Sequence, residues 1–100
     1  MHARVSTLQI DPGRIDDVVG QLEERDVPSF QELDGFRGFT LFANRSDGKV
    51  ITTSYWDSME QMDAAEESVK DARRRAAETG GATSEPQVER FEVALDTFVR

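Results

Sequence analysis

FRGFTLFANRSDGKVITTSYWDSMEQ, residues 36–61, places two apolar-rich runs on either side of Asp47-Gly48, then a tryptophan, then Ser58 with Gln61 three residues on. The runs at 36–45 and 49–56 are rich in Phe, Thr, Val and Ile, which suit a pleated surface. Asp-Gly between two such runs signals a tight hairpin. Ser58 and Gln61 form a capping box, so a helix starts where the second strand stops. A two-residue turn at Asp47-Gly48 sets a register: Ala43 opposite Thr52, Leu41 opposite Ser54, and Phe39 opposite Trp56, all on one face. Asn44 with Ile51, Phe42 with Thr53, and Thr40 with Tyr55 then share the other, and Phe36 falls with Thr40 and Phe42.

Upstream, ARVSTLQI at 3–10 reads as a strand ending at Asp11-Pro12-Gly13. Asp11 caps a helix whose first position is Pro12. Ile15, Val18, Val19 and Leu22 recur at helical spacing until Pro28 breaks or kinks the run. Phe30 and Leu33 continue the apolar side before Asp34-Gly35 ends it. Downstream, the apolar stripe of the second helix is Met59, Met62, Ala65, Val69, Ala72 and Ala76, stopped by Gly80-Gly81. A loop at 82–86 leads to a last strand, QVERFEVAL. The order is β-α-β-β-α-β. It predicts an α+β, ferredoxin-like fold: a four-stranded antiparallel sheet with two helices on one face.

In such a fold the helix-free face meets water and should be polar. Phenylalanines on both faces of the central hairpin argue instead that it meets a second sheet, and a second copy is the simplest partner. The expectation is a homodimer with Phe42, Thr40, Tyr55 and Ile51 in the interface.

The chain has 100 residues, 37% hydrophobic and 32% charged, which fits one globular domain spanning 1–100 and excludes a disordered segment. Its net charge of −8 argues against nucleic acid and against anionic membranes as partners. The basic run Arg73-Arg74-Arg75 follows Asp63, Glu66 and Glu67 and reads as pairing along a helix face. With no cysteine, disulfides and thiolate chemistry are excluded. No apolar stretch is long enough to span a bilayer and no signal peptide is evident, so the expected location is the cytoplasm.

Beside Trp56 the register collects small polar side chains, and the facing helix stripe is mostly alanine and methionine. That combination fits a cavity, and it equally fits a closely approached helix. GFRGF at 35–39, the hairpin, and the strand-end tryptophan followed by Asp57-Ser58 and an acidic helix resemble the antibiotic biosynthesis monooxygenase domain. The resemblance covers nearly the whole chain. It implies a ferredoxin-like fold paired into a dimeric α/β barrel, with the strand-end tryptophan lining a substrate cavity between sheet and helices. The substrate-binding candidates are accordingly Trp56, Phe39, Ser54, Ser6, Met62 and Glu66, with Trp56 and Glu66 as candidates for a catalytic role.

The haem-degrading branch of that family is expected to use an asparagine on the first strand and an axial histidine on the second helix. Here the strand offers Ser6 and Thr7, the helix offers Glu66 and Glu67, and the one histidine, His2, is expected at a frayed terminus. Haem is therefore not expected. Nor is a metal, since Asp63 and Glu67 at i, i+4 read as a solvated face. Without a usable histidine a serine or threonine nucleophile has no base, and no glycine-rich loop cradles a nucleotide phosphate. What remains is chemistry the substrate performs itself. A deprotonated phenol or hydroquinone can pass electrons to O2 once a protein binds the ring and excludes water. Glu66, between Met62 and Val69 in the stripe, is the partly buried carboxyl placed to assist. Two readings follow: a cofactor-independent monooxygenase of a small aromatic substrate, or a non-catalytic dimeric domain that binds a hydrophobic metabolite or plays a structural part.

Overall fold

The computed structural model describes residues 1–98. Its sheet is antiparallel throughout, in the order β2-β3-β1-β4, from β1 (His2–Gln9), β2 (Phe36–Ala43), β3 (Lys49–Trp56) and β4 (Gln87–Glu92). The first crossover holds a 3-10 turn (Pro12–Arg14), α1 (Ile15–Gln21), a π-helical turn (Leu22–Asp26) and α2 (Val27–Phe30). The second holds α3 (Met59–Ala64) and α4 (Glu66–Gly80). Both lie on the same face, which makes the ferredoxin-like α+β arrangement that the element order predicts.

Alternation along β1 sends Arg4, Ser6 and Leu8 toward the helices. Leu8, Ile10 and Val50 pack with Ile15, Val18, Leu22 and Ala76 in one apolar cluster. Trp56 packs with Phe30, Met62, Ala65, Val69 and Ala72 in a second. Each large side chain so buried contributes roughly 1.5–3 kcal/mol, the main force pressing the helices onto the sheet. The end of α4 closes at Gly80 on Ile10, the residue after β1, where an added Cβ would stand 2.6 Å from Ile10 Cγ2, so only glycine permits the approach.

The helix signals behave largely as read. Ser58 Oγ accepts from the Gln61 amide at 3.1 Å, and Asp11 Oδ1 accepts from the Gly13 amide at 2.9 Å, although Asp11 caps the short 3-10 turn rather than α1 itself. Pro28 does not stop the first crossover. The chain widens into the π turn, where the Val27 amide reaches back to the Leu22 carbonyl, and α2 continues through Pro28. The second helix is divided at Ala65, and Met59 is 53% exposed, so the buried stripe starts at Met62. The last strand ends at Glu92, with one further bond from the Val93 amide to the Met1 carbonyl. His2, expected at a frayed end, lies within β1 opposite Trp56.

The hairpin departs most from expectation. It closes through Asn44 and Lys49 with four residues between, not through a two-residue turn. Asn44 Oδ1 accepts from the Ser46 amide and hydroxyl, Asp47 Oδ1 accepts from the Lys49 amide, and Gly48 takes the left-handed conformation (φ 82°). These side-chain bonds favour the longer loop. The register slips by two, so Ala43 faces Val50, Leu41 faces Thr52, and Phe39 faces Ser54. A slip of two leaves each side chain on its expected face. A bulge at Arg37 then turns Phe36 onto the helix side, opposite Trp56, and not beside Thr40 and Phe42 as the simple alternation implied. Arg45 grips Asp16 with two bonds, tying the loop to α1 and holding the Asp16 carboxyl below its ordinary range.

Candidate functional site

Where β1 passes under α4, a guanidinium is enclosed between sheet and helix. Arg4, opposite Ser54 in the sheet, is only 2% exposed. Its Nη2 donates to the Met62 carbonyl at 2.8 Å and lies 2.7 Å from Glu66 Oε2. Glu66 opens α4, and its other oxygen stands 3.4 Å from Arg73 Nη2, two turns further along the same helix. Burial pulls the Arg4 pKa below its ordinary value, Glu66 opposes that, and Arg73 and Arg90 add to the lowering. A guanidinium nonetheless stays charged in any protein setting. Arg4 Nε, Arg4 Nη1 and Arg73 Nη1 are enclosed with no hydrogen-bond partner among the described residues.

Beside this cluster lies a small cavity of about 20 Å³, roughly room for one water. Ser6, Thr52 and Arg73 give it a polar side; Phe30, Phe39 and Val69 are among its apolar walls. Ser6 and Thr52 are opposed in the sheet, one step along from the Arg4 and Ser54 pair. The lining is therefore mixed, polar and apolar.

The candidates drawn from the sequence fall in three places. Ser6 and Phe39 line the cavity. Glu66 is not among the lining residues; it is bound to Arg73, which is, and to Arg4, with 40% of its side chain exposed. Trp56, Ser54 and Met62 belong to the packed layer beside it. The indole is wholly buried, meets Phe36 edge-on at 5.3 Å, and donates from Nε1 to Ser54 Oγ at 2.9 Å. Trp56 and Met62 are not among the residues lining this cavity.

Arg4 and Arg73 are the residues that sequence reasoning missed. The signal for Arg4 was present: in HARVSTLQI it shares its phase with Ser6, Leu8 and Ile10, the buried side. Within the Arg73-Arg74-Arg75 run, read as pairing along a helix face, Arg73 pairs with Glu66 and Arg74 with Asp71 on α4, while Arg75 leaves that helix for the buried Asp26 of the π turn, at 2.6 Å. Among the described residues, no three His, Asp or Glu side chains are grouped to hold a metal.

On the opposite face of the sheet Phe42 is 59% exposed, with Ile51, Thr40 and Tyr55 half-buried around it. No described helix is long and apolar enough to cross a membrane.

Fold and site together define a ferredoxin-like α+β domain with a charged cluster enclosed between sheet and helices. The chain belongs to the antibiotic biosynthesis monooxygenase family, whose description matches residues 1–79. It is 36% identical over 94 residues to an uncharacterized protein of Mycobacterium tuberculosis, an alignment covering 94% of this chain and 41% of that one. The chain thus spans about two-fifths of the length of the curated relatives it matches. Its fold is similar to that of a Streptomyces coelicolor monooxygenase in complex with nanaomycin D (TM-score 0.78, 16% identity, covering 99% of this chain and 92% of that one). It is likewise similar to the heme-degrader MhuD of M. tuberculosis, with two hemes bound in its active site (TM-score 0.70, 20% identity, covering 98% and 100%).

Proposed function

We propose that the chain is a cofactor-independent monooxygenase of a small aromatic substrate of phenol, quinol or polyketide type, bound between sheet and helices. The observation that carries the reading is the cavity itself, where the Ser6 and Thr52 hydroxyls and the Arg73 guanidinium meet the aromatic walls of Phe30 and Phe39. Membership in the monooxygenase family supports it. In such a reaction the substrate supplies the electrons. For a phenol oxidised to a quinone, one atom of O2 becomes the new ring oxygen and the other leaves as water. The protein's part is to orient the ring, hold the developing oxyanion and exclude solvent. Phe39 and Ser6 contact the ring in this reading, Trp56, Ser54 and Met62 back it, and Glu66 holds the guanidiniums in place.

The cavity is far smaller than the roughly 300–1,000 Å³ of ordinary ligand sites, so a ring enters only if a wall moves. Arg73 is held to Glu66 only by a contact at the outer limit of hydrogen-bond length. The same tightness favours a second reading, a non-catalytic dimeric domain that binds a hydrophobic metabolite or serves a structural role. An oxygen electrode separates the two. With a panel of dihydroxynaphthalenes and no added metal or flavin, O2 uptake matched by quinone formation is expected. Ligand binding with uptake at the buffer rate would favour the second reading.

The helix-free face supports pairing with a second copy through Phe42, Ile51, Thr40 and Tyr55, as the alternation in the hairpin implies. Light scattering is expected to give twice the chain's 11.2 kDa, and Phe42→Glu is expected to shift the mass toward one chain. A concentration-independent mass of 11.2 kDa for the unmodified protein would rule the pairing out.

A further inference from the structure

We propose that the Arg4–Glu66–Arg73 cluster recognises an acid: the ligand carries one anionic oxygen headgroup, a carboxylate or a phenolate, on a flat apolar body. The proposal rests on the reading that a ligand binds between sheet and helices, and it names that ligand's chemistry. Two guanidiniums face one carboxylate, which leaves one positive charge uncompensated among the described residues. Arg90, the other cation near Arg4, is already paired with Asp63. An enclosed charge without a counter-charge is costly, and a water molecule satisfies donors without neutralising charge.

The donor count points the same way. Among the described residues Arg4 uses only Nη2, leaving Nε and Nη1 enclosed and unpartnered, and Arg73 Nη1 is unpartnered too. Guanidinium forks match two-oxygen acceptors, and bonds to an ionised acceptor are about twice as strong as neutral ones. Arg73 also lines the cavity, with the Ser6 and Thr52 hydroxyls nearby and Phe30, Phe39 and Val69 on the apolar side. One surplus charge calls for a monoanion, and the apolar walls call for a ring behind it. Release of the long Arg73–Glu66 contact lets Arg73 turn to the headgroup as the ring enters.

The test is calorimetric titration of the whole chain with 2-naphthoate, with 2-naphthamide as its neutral isostere, and with 2-naphthol below and above its own ionisation. The acid is expected to bind about ten- to a hundredfold tighter than the amide, the range of one hydrogen bond to a charged group. In Arg73→Gln, a change at a side chain that is 12% exposed, with the fold checked by circular dichroism, that ratio is expected to fall toward one. A gain in 2-naphthol affinity on ionisation would extend the headgroup to phenolates; no gain would restrict it to carboxylates. Equal affinity for acid and amide, or an acid preference unchanged in Arg73→Gln, would overturn the proposal while leaving an aromatic site standing. Failure of all three probes to bind would instead overturn the ligand site itself, and this proposal with it.

Discussion

Trp56→Ala is expected to destabilise the protein by about 3–5 kcal/mol, the range for removing a large aromatic from a packed core. The indole has no exposed surface and packs among Phe30, Met62, Ala65, Val69 and Ala72, with Phe36 edge-on to it. Its loss opens a void that side chains fixed in a strand and two helix segments cannot fill. It also removes the donor that Ser54 Oγ accepts, in a layer where Ser54 is itself buried. Urea unfolding monitored by circular dichroism measures the cost. Trp56→Phe keeps most of the ring volume and drops the hydrogen bond, and should cost clearly less. A cost below about 1 kcal/mol for the alanine variant would mean the indole is poorly packed and free to serve as a cavity wall.

The placement of that tryptophan shows how far local pattern reaches. Element order follows from signals a few residues long: Ser58 with Gln61, Asp11 with Pro12, Gly80-Gly81, and the spacing of Ile15, Val18 and Leu22. Each acts through bonds within one turn, so each survives into the structure. The face of each hairpin residue was readable because side chains alternate, and an even slip preserves the alternation. The register was not. Asn44 and Asp47 bond to the loop's own backbone and lengthen it, and the bulge at Arg37 moves Phe36 to the other face. The site was legible only in part for a similar reason. Ser6, Phe39 and Glu66 lie near the cavity because strand phase and helix stripe place them there. Arg4, by contrast, looks like a surface residue to composition, and only its phase with Leu8 and Ile10 marks it as buried. Its partner Glu66 lies 62 positions away and meets it only when α4 crosses β1. No local pattern encodes that meeting.

Glu66→Ala is expected to cost about 2 kcal/mol, less than the 3–5 typical of breaking a fully buried ion pair. The discount follows from geometry. Arg4 is enclosed, but 40% of the Glu66 side chain is exposed, so water can reach part of the gap. Arg4 would keep one acceptor, the Met62 carbonyl, while its charge would face Arg73 with nothing between them. Glu67, one residue on, points to solvent, and Glu67→Ala is expected to stay within about 0.5 kcal/mol, as exposed substitutions do. A double-mutant cycle sharpens the test. Arg4→Met with Glu66→Leu removes both charges and leaves apolar stems of similar size, so the pair should be much less damaging than the two single changes added together. The same cycle on Arg73 and Glu66 should give a coupling below that of Arg4 and Glu66, because the contact is 3.4 Å against 2.7 Å. Additive costs for Arg4 and Glu66 would show that the two do not act as a pair. Equal, negligible costs for Glu66 and Glu67 would place Glu66 among the ordinary surface acids, and Arg4 would then have to be neutralised by something other than this chain.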